Sequence, residues 1–170
     1  FSIVAEEMPG EFEEMERRDI NAFFEDGAIY VTNNQDNEMD MIDDIIHEMA
    51  HATERQYMDQ IYSGAIEKEF LGKRERLYFI LKGEGYNISP VFRVKSEYDQ
   101  DIDNFLYQEV GYDHLNMLVN GLFVSAYAST SLSEYFARGF EEYFMGDVNY
   151  LRKISPVLFN ILESLKDMEE

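Results

Sequence analysis

The chain has 170 residues with 35 acidic against 14 basic side chains, a formal charge of −21, and a field of that sign argues against nucleic acid as a partner. There is no cysteine, so disulfide scaffolding and thiolate metal sites are both excluded. Hydrophobic residues at 45% and aromatics at 15% suffice for a packed core, the length suits one domain over 1–170, and no apolar run approaches the ~20 residues that span a bilayer.

In chain order, Phe1 to Ala5 is a short β-prone run ended by acidic residues and a Pro9-Gly10 turn. A start at Phe1 rather than Met is expected of a segment cut or processed from a longer chain, which leaves the compartment open. Glu11 to Glu25 carries Phe12, Met15, Ile20, Phe23 and Phe24 among charges and suits one or two short helices. Ala28 to Thr32 is β-branched and aromatic, a strand closed by Asn33, Asn34 and Gln35.

The next element dominates the reading. From about Glu38 to Met58, apolar Ile42, Ile46, Met49 and Tyr57 recur at helical intervals, with Ala50 and Thr53 filling the stripe. Asp36 or Asn37 can cap its start, and Asp40, Asp43 and Asp44 oppose the macrodipole in the early turns. Beside the stripe stands His47-Glu48-Met49-Ala50-His51, an H-E-x-x-H sequence. Residues four apart on a helix share a face, with Cβ atoms about 5–6 Å apart, so two imidazoles can converge on one zinc ion. Glu48, next to the first ligand, can reach a zinc-activated water without ligating the metal, which is the place of a general base. The plain alternative is a polar helix face with two unrelated histidines.

Ala65 to Leu81 reads as a second helix, stopped by Gly83-Glu84-Gly85, and Asn87 to Val94 as extended, with Pro90 limiting it to an edge or loop. Asp99 to Val110 and Tyr112 to Val119 are helical between breaks at Gly111 and Gly121. Leu132, Phe136, Phe140 and Phe144 form one apolar stripe, and Ile154, Val157, Leu158, Ile161, Leu162 and Leu165 another. There is no internal repeat or low-complexity tract.

A catalytic zinc takes three protein ligands and a water. Without cysteine, the Cys-plus-two-His set of deformylase-type hydrolases is excluded, and Glu54 and Tyr57 occupy the positions where a metzincin has Gly and His. The remaining route is a carboxylate on a later helix, with Glu134 in Ser131-Leu132-Ser133-Glu134-Tyr135-Phe136-Ala137 as the candidate. The same Ser131-x-x-Glu134 spacing is also a capping box, so the residues alone leave Glu134 open between ligand and cap. His114 is a further candidate, against the ordinary structural role of a lone histidine.

In these segments the chain resembles the zinc metallopeptidases typified by anthrax lethal factor, including the clostridial Pro-Pro endopeptidases. Their H-E-x-x-H is followed by Ala and, after one more residue, an acidic residue, here Ala52 and Glu54. Their later E-[FY]-F-A helix is matched by Glu134 to Ala137. The resemblance implies that His47, His51 and Glu134 hold Zn²⁺ and that Glu48 is the base. It also implies a catalytic role for Tyr127, seven residues before Glu134, as a donor to the developing oxyanion. It covers the active helix and the stretch from Val124 onward. Arg138 stands where those families have a second Glu, and Tyr57 to Leu118 is longer than its counterpart.

The fold expected is therefore α+β, a zincin-like metallopeptidase with a small N-terminal sheet over the active helix and a mainly helical C-terminal part. The function expected is a zinc-dependent endopeptidase hydrolysing peptide bonds in a peptide or protein substrate. The other class is a catalytically silent interaction module of the same fold within a larger assembly. The longer Tyr57 to Leu118 segment is expected to wall the substrate groove or simply to enlarge the core.

Overall fold

The computed structural model describes the backbone of residues 2–4, 22–25, 28–31 and 38–169, with side chains over 38–168. The turn expected at Pro9-Gly10, the helical stretch from Glu11 to Asn21, the residues Asn33 to Gln35 and the cap at Asp36 or Asn37 lie outside these. Two compact units divide the chain, 1–56 and 57–170.

The first unit contains three short strands, β1 (Ser2–Val4), β2 (Ala22–Glu25) and β3 (Ala28–Val31), in the order β1-β3-β2. β1 runs parallel to β3 and β2 antiparallel to it. Ala22–Glu25 thus belongs to a strand and not to the helix expected there. Helix α1 follows over Glu38–Gln56. Acidic Glu38 and Asp40 lie in its first turn and Arg55 in its last, each placed to oppose the macrodipole. Its fully covered residues are the small ones, Ala50 and Ala52, whereas the larger Ile42, Ile46 and Met49 are only half-buried.

The expected α+β class is overturned: the chain is mostly helical, and from Glu38 to Glu169 it has no strand. The three strands, of three and four residues, make only a small sheet, and helices make up most of the rest of the described chain. Local chemistry also converts Asn87 to Val94, read as extended, into a loop and a 3₁₀ turn over Pro90–Arg93. Ser89 accepts the Val91 amide there, and Pro90 at the first helical position loses no bond it would otherwise make.

The second unit holds a short α2 (Met58–Ile61) and then α3 (Ala65–Gly83), which supplies Ile66, Phe70, Leu77 and Leu81 to the core at 0% exposure. Gly85, at φ +94°, provides the left-handed turn after α3 that a side chain would strain. Helix α4 (Gln100–Asn104), capped by the Asp99 carboxylate on the Ile102 amide, runs on into a π-helical stretch, Phe105–Val110. Helices α5 (Tyr112–Leu118), α6 (Leu132–Met145), α7 (Val148–Ile154) and α8 (Pro156–Glu169) complete the unit. The α6 stripe is buried at Phe136 and Phe140, while Phe144 is exposed. Gly139 lets α6 and α8 approach closely, since a Cβ there would meet Leu158 Cδ2 at 2.2 Å. No helix among the described residues is long and apolar enough to cross a membrane.

Three charged residues of α3 organise this core. Arg74 is fully buried, and its guanidinium donates to the carbonyls of Ser129 at 2.6 Å, Thr130 at 2.6 Å, Phe92 at 3.0 Å and Lys95 at 3.3 Å. The plane stacks on Phe92, 4.2 Å from the ring centroid. Lys73 donates to Leu122 O and to Ile154 O at the C-terminus of α7. Glu69 accepts from the Tyr135 hydroxyl and from the Val157 and Leu158 amides that open α8. Buried charges persist only when hydrogen-bonded in this way.

Candidate metal centre

Helix α1 brings the two histidines of H-E-x-x-H together as one-turn neighbours. Their Nε2 atoms lie 3.2 Å apart, with the rings edge to face at 88°. Two nitrogens each about 2.0–2.1 Å from a tetrahedral zinc are separated by roughly 3.3 Å, so the pair has the spacing of two adjacent ligand positions. The other side of His51 fixes its tautomer. Nδ1–H donates to Glu54 Oε2 at 3.0 Å, which leaves the neutral ring a lone pair on Nε2, facing His47. A carboxylate behind a ligating imidazole is the usual outer partner of a metal-bound histidine, orienting the ring and raising its basicity. Glu48 is half-buried on the same helix.

Glu134 sits in the first turn of α6. The extended backbone at Ser131 lets its hydroxyl accept the Glu134 amide at 3.2 Å, so the cap is satisfied by the backbone of Glu134. The two imidazoles of the first unit offer two ligand atoms to a metal ion, and Glu134, on the second unit, is the third ligand that the family resemblance implies. Two neutral nitrogens suit a borderline cation such as zinc, and the 3.2 Å spacing of His47 and His51 fits it. His114 lies 4.0 Å from a Glu84 oxygen and beside the Tyr86 ring.

Tyr127 opens the 3₁₀ turn that leads to Ser131. Its carbonyl accepts from the Thr130 hydroxyl at 2.8 Å, and the next two carbonyls that Arg74 holds, those of Ser129 and Thr130, keep the turn in place. Burial, and then the Glu134 carboxylate, push the Tyr127 hydroxyl up to about 12, so at neutral pH the phenol keeps its proton and can donate it in a hydrogen bond.

No family model, no curated protein and no solved structure matches this chain.

Arg138, the departure noted in the sequence, places its guanidinium 4.8 Å from the Tyr127 ring centroid and meets Glu141 at 3.0 Å, so its charge is balanced within α6. The long Tyr57 to Leu118 segment reaches Tyr127 through Tyr112, whose ring lies edge-on at 6.1 Å and whose hydroxyl donates to Asp103 at 3.0 Å. Burial and that carboxylate both raise the Tyr112 phenol. Two residues were not legible as organisers. Arg74 reads in sequence as part of a solvated basic run, and Glu69 as its counter-charge, because their partners are 18 to 89 positions away. Glu54 was visible as an acidic residue in register, but its partner became clear only from the 3.0 Å contact with His51.

Proposed function

We propose that the chain is a zinc-dependent endopeptidase, with His47, His51 and Glu134 as the metal ligands. The observation that carries this reading is the imidazole pair, 3.2 Å apart with Glu54 behind His51. The sequence resemblance to lethal-factor-like peptidases, which adds Glu134 and Tyr127 to the same motif, supports it. Zinc bound there would polarise the scissile carbonyl and lower the pKa of an attacking water to about 7. Glu48 would serve as the general base for the attacking water and return the proton to the leaving amine, a role that its place beside His47 allows. Tyr127, protonated at neutral pH, donates to the oxygen on which charge develops. Arg74 holds the turn that carries Tyr127 and so orients this donor without touching substrate.

The second reading, a catalytically silent interaction module, is favoured by one observation, the Arg138 guanidinium over the Tyr127 ring. Zinc stoichiometry measured together with cleavage of a peptide library decides between them. One zinc per chain and turnover that disappears in Glu48→Gln support the peptidase; one zinc and no cleavage of any peptide would leave the silent module.

A further inference from the structure

Half of the chain's 14 basic residues fall between Lys68 and Lys95, where they meet only three acidic ones, so a stretch of net +4 is set in a chain of −21. Lys73 and Arg74 are buried; the others mark the surface formed by α3 and the Pro90–Arg93 turn. That surface contains a groove of about 520 Å³ whose lining includes Lys68, Leu71, Gly72, Arg93 and Val94, and also the acidic Glu75. Apolar side chains continue around it, with Val94 72%, Phe79 56% and Val91 46% exposed. Arg93 lies across the rings of Tyr78 and Phe79 and pairs with Glu75 at 2.6 Å. The Lys68 ammonium makes no hydrogen bond or ion pair among the described residues.

Gly72 gives the groove its depth. It lies inside α3, where glycine is less favourable than alanine, and it is not at a left-handed φ. Nothing lies within 4 Å of where its Cβ would be, so neither backbone conformation nor close packing within the chain requires a glycine there. What the missing side chain creates is open volume between an apolar wall and the cations of Lys68 and Arg93, the second of them already paired with Glu75 on the same lining.

We propose that this groove is a docking site for an acidic segment of a partner protein, one that sets an apolar side chain over Gly72 and carboxylates against Lys68 and Arg93. Charge complementarity selects this occupant: on an otherwise strongly acidic surface, the groove is where an anionic chain is attracted and the rest repels it. An exposed apolar patch rimmed by charge is the usual form of such a site. The inference is independent of the proposed hydrolytic activity and survives its failure.

The test uses fluorescein-labelled synthetic peptides of three kinds: Glu-rich with Leu or Phe, Glu-rich without apolar residues, and Lys-rich with Leu or Phe. Fluorescence anisotropy should show binding of the first kind, weakened at least tenfold by raising salt from 50 to 500 mM. Gly72→Phe, which fills open space in a helix and leaves folding intact by circular dichroism, should weaken it at least tenfold, and Lys68→Glu likewise. Absence of binding by the first kind, equal binding by the Lys-rich kind, or affinity unaffected by Gly72→Phe would overturn the proposal. Self-association in sedimentation that Gly72→Phe abolishes would overturn the committed occupant in favour of a second copy of this chain.

Discussion

Glu54 and His51 are joined by a 3.0 Å contact from the ring Nδ1 to a carboxylate oxygen of Glu54, whose side chain is only 13% exposed. The bond fixes which imidazole nitrogen is left to bind a metal and damps rotation of the ring. Glu54→Ala should therefore weaken zinc binding about 10- to 100-fold while leaving both histidines in place. Chelator competition at fixed pH measures this; an unchanged affinity would mean that Glu54 is a surface partner with no bearing on the metal.

Glu48 and Tyr127 separate binding from chemistry. Glu48→Gln keeps the size of the side chain and removes the base, so zinc content should stay at the wild-type level while peptide cleavage is lost. Tyr127→Phe should lower kcat by about 10²–10³ with KM little changed, because the lost hydrogen bond is one made only as charge develops on the substrate. A drop confined to KM would place Tyr127 in substrate binding instead.

Arg74→Met tests the organiser of the second unit. The thioether fills part of the space but leaves the carbonyls of Ser129, Thr130, Phe92 and Lys95 without their donor in a dry interior. The expected loss is about 3 kcal/mol or more, since each buried group left unmet costs about 1–3 kcal/mol. Urea unfolding should show it as a lower midpoint at an unchanged slope.

Lys73 gives a pH signature. Burial, the largest influence, lowers its pKa from 10.5 to about 8, against the opposing pull of Glu69. In the unfolded chain the amine holds its proton to higher pH, so between about 8 and 10.5 the unfolded state binds more protons and stability rises with pH. The contribution of Lys73 is complete above about 10.5 and lost as pH falls through about 8. Measured against Lys73→Met, the wild type should gain about 2 kcal/mol across that window once partial solvent screening is allowed for. A parallel pH dependence in the two proteins would remove Lys73 as the cause.

What could be read in advance was local. Helix α1 carries its own periodicity, motif and first-turn acidic residues, and it ends at Gln56, two residues before the expected end. The stop after α3 was legible because Gly85 needs a left-handed φ. The fold class was not: three short extended runs weighed as heavily in sequence as long helices, although length decides which of them can form a layer. Asn87 to Val94 failed for a related reason, since β-branched composition suggested extension while the Ser89-Pro90 pair dictated a capped turn. In the candidate centre, the two histidines were legible through their four-residue spacing, while Glu134 and Tyr127 were singled out only through the family resemblance; the Arg74 scaffold behind Tyr127 was not legible at all, because no local pattern reports a side chain that serves carbonyls 55 and 56 positions away.

The π-helical stretch Phe105–Val110 acts as a phase shifter. Each of its hydrogen-bonded rings holds one residue more than an α turn, as in the bond from Gly111 N to Leu106 O. That surplus stands between Asp103 and Tyr112, whose contact at 3.0 Å spans it. Deleting one residue from the stretch would give a more regular helix and turn everything on one side of it by about 100° relative to the other. Asp103 would swing away from the phenol, and the ring that braces Tyr127 would lose its anchor, so the irregular turn preserves an angular setting that an ideal helix would erase.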